Sequence, residues 1–176
     1  MLLFGESALV YKIFDWSLDN KEKKELVVPD NMRSINDNRN NVVLEPSAST
    51  SDLTIEHNAE RGGRLGMYIY SKQNYRNLKG VSCYTALYFM DDKGKLLEGK
   101  RVKDADGYFC YITRPIIPEA NNVTNEQRTF IPYEEFSMPD TGTVYFNCAL
   151  TVFIENDKKQ RIELASSSPA KFHLSR

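Results

Sequence analysis

From about residue 51 onward, hydrophobic and polar positions follow a period of two. The longest stretch runs from Thr143 to Ile154. Val144, Phe146, Cys148, Leu150, Val152 and Ile154 fall on one side, and Thr143, Tyr145, Asn147, Ala149, Thr151 and Phe153 on the other. Successive side chains of a strand point to opposite faces, so this pattern predicts a long strand with one apolar side against a core. Cys83, Thr85, Leu87 and Phe89 alternate with Tyr84, Ala86, Tyr88 and Met90 in a second long strand, apolar or aromatic on both faces as a central strand would be. Shorter candidates are Leu53 to Ile55, Leu65 to Ile69, Tyr108 to Ile112, Phe130 to Tyr133, Ile162 to Leu164 and Phe172 to Leu174. Asp91-Asp92-Lys93-Gly94 and Asn156-Asp157 supply turns. Pro132 has no amide hydrogen to give a ladder, which marks its run as an edge or a short strand. About seven strands at fairly regular spacing, with no convincing helix beyond residue 51, predict an all-β, immunoglobulin-like antiparallel β-sandwich.

Before residue 51 the pattern changes. Leu9, Val10, Ile13, Phe14 and Trp16 fit one face of a short helix capped by Ser7. Val10 to Trp16 reads equally as a strand, with Leu26-Val27-Val28 as its partner. Lys21-Glu22-Lys23-Lys24-Glu25 mixes signs and suits a solvated turn or helix end. From Asn31 to Ser51, five asparagines, Pro46 and a Ser/Thr cluster surround only the apolar Val42-Val43-Leu44. Such a segment buries little and reads as a linker or docked arm. The expected organisation is therefore an arm and linker over residues 1–50 and a sandwich domain over 51–176.

Charge narrows the partner classes. Lys and Arg number 23 against 24 Asp and Glu in 176 residues, a formal net charge of −1. Nucleic-acid binding rests on a surplus of Lys and Arg, which is missing here. A hydrophobic fraction of 41% is globular. No run approaches the roughly 18 apolar residues of a membrane-spanning helix. Met1 to Phe14 lacks a basic start and is interrupted by Glu6, so it is a poor signal peptide. The default expectation is cytoplasmic. The three cysteines, Cys83, Cys110 and Cys148, lie in strand-like runs and read as small buried hydrophobes in a reducing compartment. If one pair bridges, Cys83 and Cys148 are the candidates.

Candidate chemistry is sparse. His57 continues the phase of Leu53 and Ile55, so it is expected inward at a strand end and hydrogen-bonded to backbone; His173 falls on the solvent side. Two separated histidines with no Cys-x-x-Cys give zinc no case. No serine has a nucleophile-elbow motif around it, and no cofactor is implied. Arg61-Gly62-Gly63-Arg64 has the glycines and charge for anion contact, but nothing helical follows, and a turn is the plainer reading. Asp91, Asp92, Asp104 and Asp106 sit on loops that could supply oxygens to calcium. Lys93, Lys95, Lys100, Arg101 and Lys103 interleave with them and oppose a divalent ion. The remaining feature is ten tyrosines. Tyr68 and Tyr70 share an outward face, as do Tyr84 and Tyr88, and Tyr145 takes the outer face of the longest strand. Were these strands neighbours, the sandwich would carry an aromatic strip suited to a protein partner or to sugar stacking. The plainer reading is ordinary cross-strand packing, or cover from the arm.

Gly66 to Ser168 resembles a β-sandwich domain found in bacteria, notably the Bacteroidetes. The matching pieces are Gly66-Met67-Tyr68-Ile69-Tyr70, Asn77-Leu78-Lys79-Gly80, Tyr88 to Leu97, Phe130 to Phe136 and the strand pair from Val144 to Ala165. The resemblance implies a sandwich and an accessory, contact-making role, and carries over no catalytic residue. The expectation is a non-enzymatic protein-interaction module using Tyr68, Tyr70, Tyr84, Tyr88 and Tyr145. The alternative is a ligand-binding sandwich, for calcium or a glycan, using the loops around Asp91 and Asp104 to Asp106.

Overall fold

A computed structural model describes residues 44–176. The expectations for residues 1–43, helix or strand, lie outside the described residues. Nine strands form two antiparallel sheets: β1 (Ser47–Thr50), β2 (Thr54–Arg61), β3 (Arg64–Arg76), β4 (Cys83–Asp91), β5 (Cys110–Ile112), β6 (Asn122–Pro132), β7 (Thr143–Glu155), β8 (Arg161–Ser166) and β9 (Ala170–Ser175). The molecule is an all-β sandwich.

Each sheet is organised on one long strand. β3 pairs with β6 from Gly66–Pro132 to Arg76–Asn122. Its other edge is shared by β2 and, further along, β1. Ser47–Thr50, on the arm side of the boundary drawn near residue 51, thus belongs to this sheet. β7 is the second spine, with β4 on one edge and β9 followed by β8 on the other. β5 adds to the outer edge of β4.

The period-two reading of β7 is met residue for residue. Phe146, Cys148, Leu150, Val152 and Ile154 are buried in the core between the sheets. Met67, Ile69 and Tyr75 of β3 face them from the other sheet, and Cys83, Leu87 and Phe89 of the adjacent β4 extend the same inner side. At one end the rings of Phe89 and Phe109 stack at 4.3 Å. Phe136 fills the space beside them, with Phe146, Phe109, Phe89 and Phe172 at 5.1 to 5.6 Å. Phe136 reaches that place because a 3-10 turn, Tyr133–Glu135, follows Pro132 at the end of β6. The turn is clamped from outside. The Glu135 carboxylate, only 3% exposed, accepts from Arg101 Nε at 3.1 Å and also meets Arg64. Lys100 Nζ donates to the carbonyls of Glu134 and Phe136 at 3.1 and 2.8 Å.

Several expectations are corrected. β6 begins at Asn122, not near Phe130, because its inward positions Asn125, Gln127 and Thr129 are polar and hide the alternation. It is an edge strand, as Pro132 suggested, but a long one. β5 is confined to Cys110–Ile112. His57 does not point inward: a bulge between Glu56 and Ala59 breaks the phase of β2, and Asn58 takes φ 58°. All three cysteines are free and buried. Cys148 faces Phe89, at the far end of β4 from Cys83, so the two are not placed to bridge. Arg61-Gly62-Gly63-Arg64 is the β2–β3 hairpin turn, with Gly62 and Gly63 at φ 59° and 73°, the geometry a tight two-residue loop demands.

Candidate functional site

The five singled-out tyrosines do not form one strip. β3 lies in one sheet, β4 and β7 in the other, so Tyr68 and Tyr70 face away from Tyr84, Tyr88 and Tyr145 across the sandwich.

On the β4–β7 side, Tyr84 stacks on Phe153 with ring centres 5.3 Å apart. Ala86, Cys110 and Phe153 form a small second apolar cluster there, with Tyr84 and Tyr88 packed against it. Arg161 lies over the Phe153 ring at 4.8 Å and donates to the Tyr88 hydroxyl at 3.3 Å. Burial pushes the Tyr88 phenol up in pKa. These two rings are engaged with their own sheet. Tyr145 stands apart, 62% exposed, with the His173 ring at 5.8 Å.

On the β3 side the arrangement differs. Register sets Tyr68 opposite Phe130 and Tyr70 opposite Arg128. The Arg128 guanidinium lies over Tyr68 at 3.5 Å and reaches Tyr70 at 5.4 Å, within cation–π range of both. The Tyr70 hydroxyl donates to the Glu56 carboxylate of β2, which also lies 3.8 Å from Arg128. That hydrogen bond to Glu56 raises the Tyr70 pKa. Beside this cluster is a shallow depression of about 390 Å³, lined among others by Asp52, Thr54, Tyr70, Lys72 and Arg128.

Arg128 also borders a second recess, about 660 Å³, between β6 and the β5 edge of the other sheet. Its floor is hydrogen-bonded. The hydroxyls of Thr85 and Thr113 are 2.7 Å apart, Thr85 donates to Gln127 Oε1 at 2.9 Å, and the Gln127 amide donates to Thr129 at 3.1 Å. Arg61 and Arg114 also line it. Sequence reasoning missed this recess. Its one signal was Asn125, Gln127 and Thr129 at every second position, which is a strand pattern with polar residues in the apolar places.

The loop aspartates are used locally. Asp91 Oδ1 accepts from the amides of Lys93 and Lys95 at 2.9 and 2.8 Å, and Asp104 Oδ1 from those of Asp106 and Tyr108 at 3.0 Å each. Among the described residues no group of three or more His, Cys, Asp or Glu could hold a metal ion. His57 Nδ1 lies 3.2 Å from the Tyr133 hydroxyl, and the His57 and His173 rings are 6.5 Å apart. Burial pushes the thiols of Cys83 and Cys110 up to about 11 and that of Cys148 to about 12. A thiol held protonated is a weak nucleophile. No helix of the described residues is long and apolar enough to cross a membrane. Family models, curated proteins and solved structures were each compared with the chain, and none matches.

Proposed function

We propose that this chain is a non-enzymatic, immunoglobulin-like interaction module that contacts another protein through the outer face of the β2–β3–β6 sheet. One observation carries the reading: Tyr68, Tyr70 and Arg128 are gathered on that face beside a depression, outside the core. Tyrosine and arginine are enriched in binding hot spots, tyrosine because it offers a large contact area and a polar tip at modest entropic cost. The resemblance to bacterial accessory sandwiches fits the same role. Loop-bound calcium has less support, since Asp91 and Asp104 spend their carboxylates on their own turns. Sugar stacking is disfavoured because Arg128 covers one face of the Tyr68 ring.

The test is the double substitution Tyr68→Ser with Tyr70→Ser, compared with the unaltered chain in affinity capture from the source organism. The expected outcome is loss of the captured partner with a melting temperature nearly unchanged. Capture that survives the substitution would remove this face from the account. A fall of many degrees would show that the rings serve stability.

A further inference from the structure

The two sheets end on one flank in strands with a neighbour on one side only. β6 pairs with β3 alone and β5 with β4 alone. Among the described residues, no backbone hydrogen bond outside those two ladders involves Cys110–Ile112 or Asn122–Pro132. Exposed edges are usually blunted by shortness, bulges, prolines or inward lysines. β6 has 11 residues, pairs with β3 without a register shift, and carries its proline only at the last position. Its free amides and carbonyls are a template for one more strand.

Charge on the same flank says what kind of strand. Arg61, Arg114 and Arg128 line the recess between β5 and β6, and no acidic residue lines it. Arg128 has Glu56 at 3.8 Å; Arg61 and Arg114 have no carboxylate partner among the described residues. Guanidinium groups pair with carboxylates through two parallel hydrogen bonds. The chain as a whole is charge-balanced at −1, so this gathering is a local excess.

We infer that the open edge of β6 receives an extended acidic segment of a partner protein as an added strand, whose carboxylates meet Arg61 and Arg114. Alternate residues of such a strand turn to the same side, so acids at every second position would face the recess. The inference deepens the module reading and rests on it. Two other occupants fit less well. Pairing of β6 with a second copy about Gln127 would match Glu126 to Arg128, yet would gather two sets of Arg61 and Arg114 on one flank. Residues 1–43 carry seven acids and six bases, and no two of those acids stand two residues apart, so this segment lacks the alternating carboxylates the recess would meet.

The experiment uses the full chain and fluorescence anisotropy with three labelled ten-residue probes: alternating Glu and Thr, alternating Lys and Thr, and the Glu-Thr peptide N-methylated at every second residue. Saturable micromolar binding of the first alone is expected. Arg61→Glu with Arg114→Glu should weaken it about tenfold or more, with an unchanged melting temperature. Equal binding of the lysine peptide, equal binding of the N-methylated peptide, or no saturable binding of the first would each overturn the inference. So would a dimer in sedimentation, or slow hydrogen exchange of the outward β6 amides without a probe, since the edge would then be filled by a second copy or by this chain. The Tyr68 and Tyr70 substitutions test the module reading against the natural partner, so a failure of that reading is distinguishable from a failure of the added-strand inference.

Discussion

His57 and His173 come together only because β2 and β9, from different sheets, meet at one end of the sandwich. Burial and the neighbouring His173 both hold His57 below its ordinary 6.5. The unfolded chain therefore takes up a proton at higher pH than the folded one does. The resulting stability is fully present above about 6.5 and is lost as pH falls through the lower folded value. A melting temperature followed from pH 7.5 to 5 is expected to decline, and His173→Gln, which removes one of the two causes, should flatten the decline. An identical profile in the variant would leave burial alone responsible. At this scale the sequence was informative about direction and silent about company. Alternation put Tyr68 and Tyr70 outward, as they are. The Arg128 stack on Tyr68 needs the β3–β6 register, which no local pattern contains, and the β2 bulge that redirects His57 has no simple residue signature.

Among the elements, β4 and β7 were legible because their inward positions are almost wholly apolar. β6 was legible only at its end, where Phe130 and Ile131 replace polar residues. Its pairing with β3 is tight at Gly66, where an added Cβ would lie 2.4 Å from the Ile131 carbonyl oxygen and 2.9 Å from Pro132 Cα. Both are backbone atoms and cannot swing aside. Gly66→Ala should therefore push β3 and β6 apart at one end and cost about 1–3 kcal/mol, the range of overpacking. Chemical denaturation measures it; a loss below about 0.5 kcal/mol, the ordinary scatter of surface changes, would mean that the strands relax freely there.

For the molecule as a whole, stability rests on the core that both sheets share, and Phe136 packs there against four other phenylalanine rings. Phe136→Ala removes a fully enclosed ring that touches both β7 and β9, and should cost about 3–5 kcal/mol in equilibrium unfolding. A smaller loss would show that the neighbouring rings collapse into the space. Sandwich architecture was readable from strand count and turn spacing, whereas the assignment of strands to sheets was not. β3 takes β6 as its neighbour with β4 and β5 passing through the other sheet in between. That crossover shapes the protein's first moments. While a ribosome is still adding the residues between Arg76 and Asn122, β3 has only β1 and β2 along one edge, and its other edge has no mate yet. Pairings so distant in sequence close slowly, in milliseconds to seconds for all-β domains of this kind. The emerging chain thus passes through an interval in which β3 is paired along one edge only, and it is then most open to chaperones and to sticking to its neighbours.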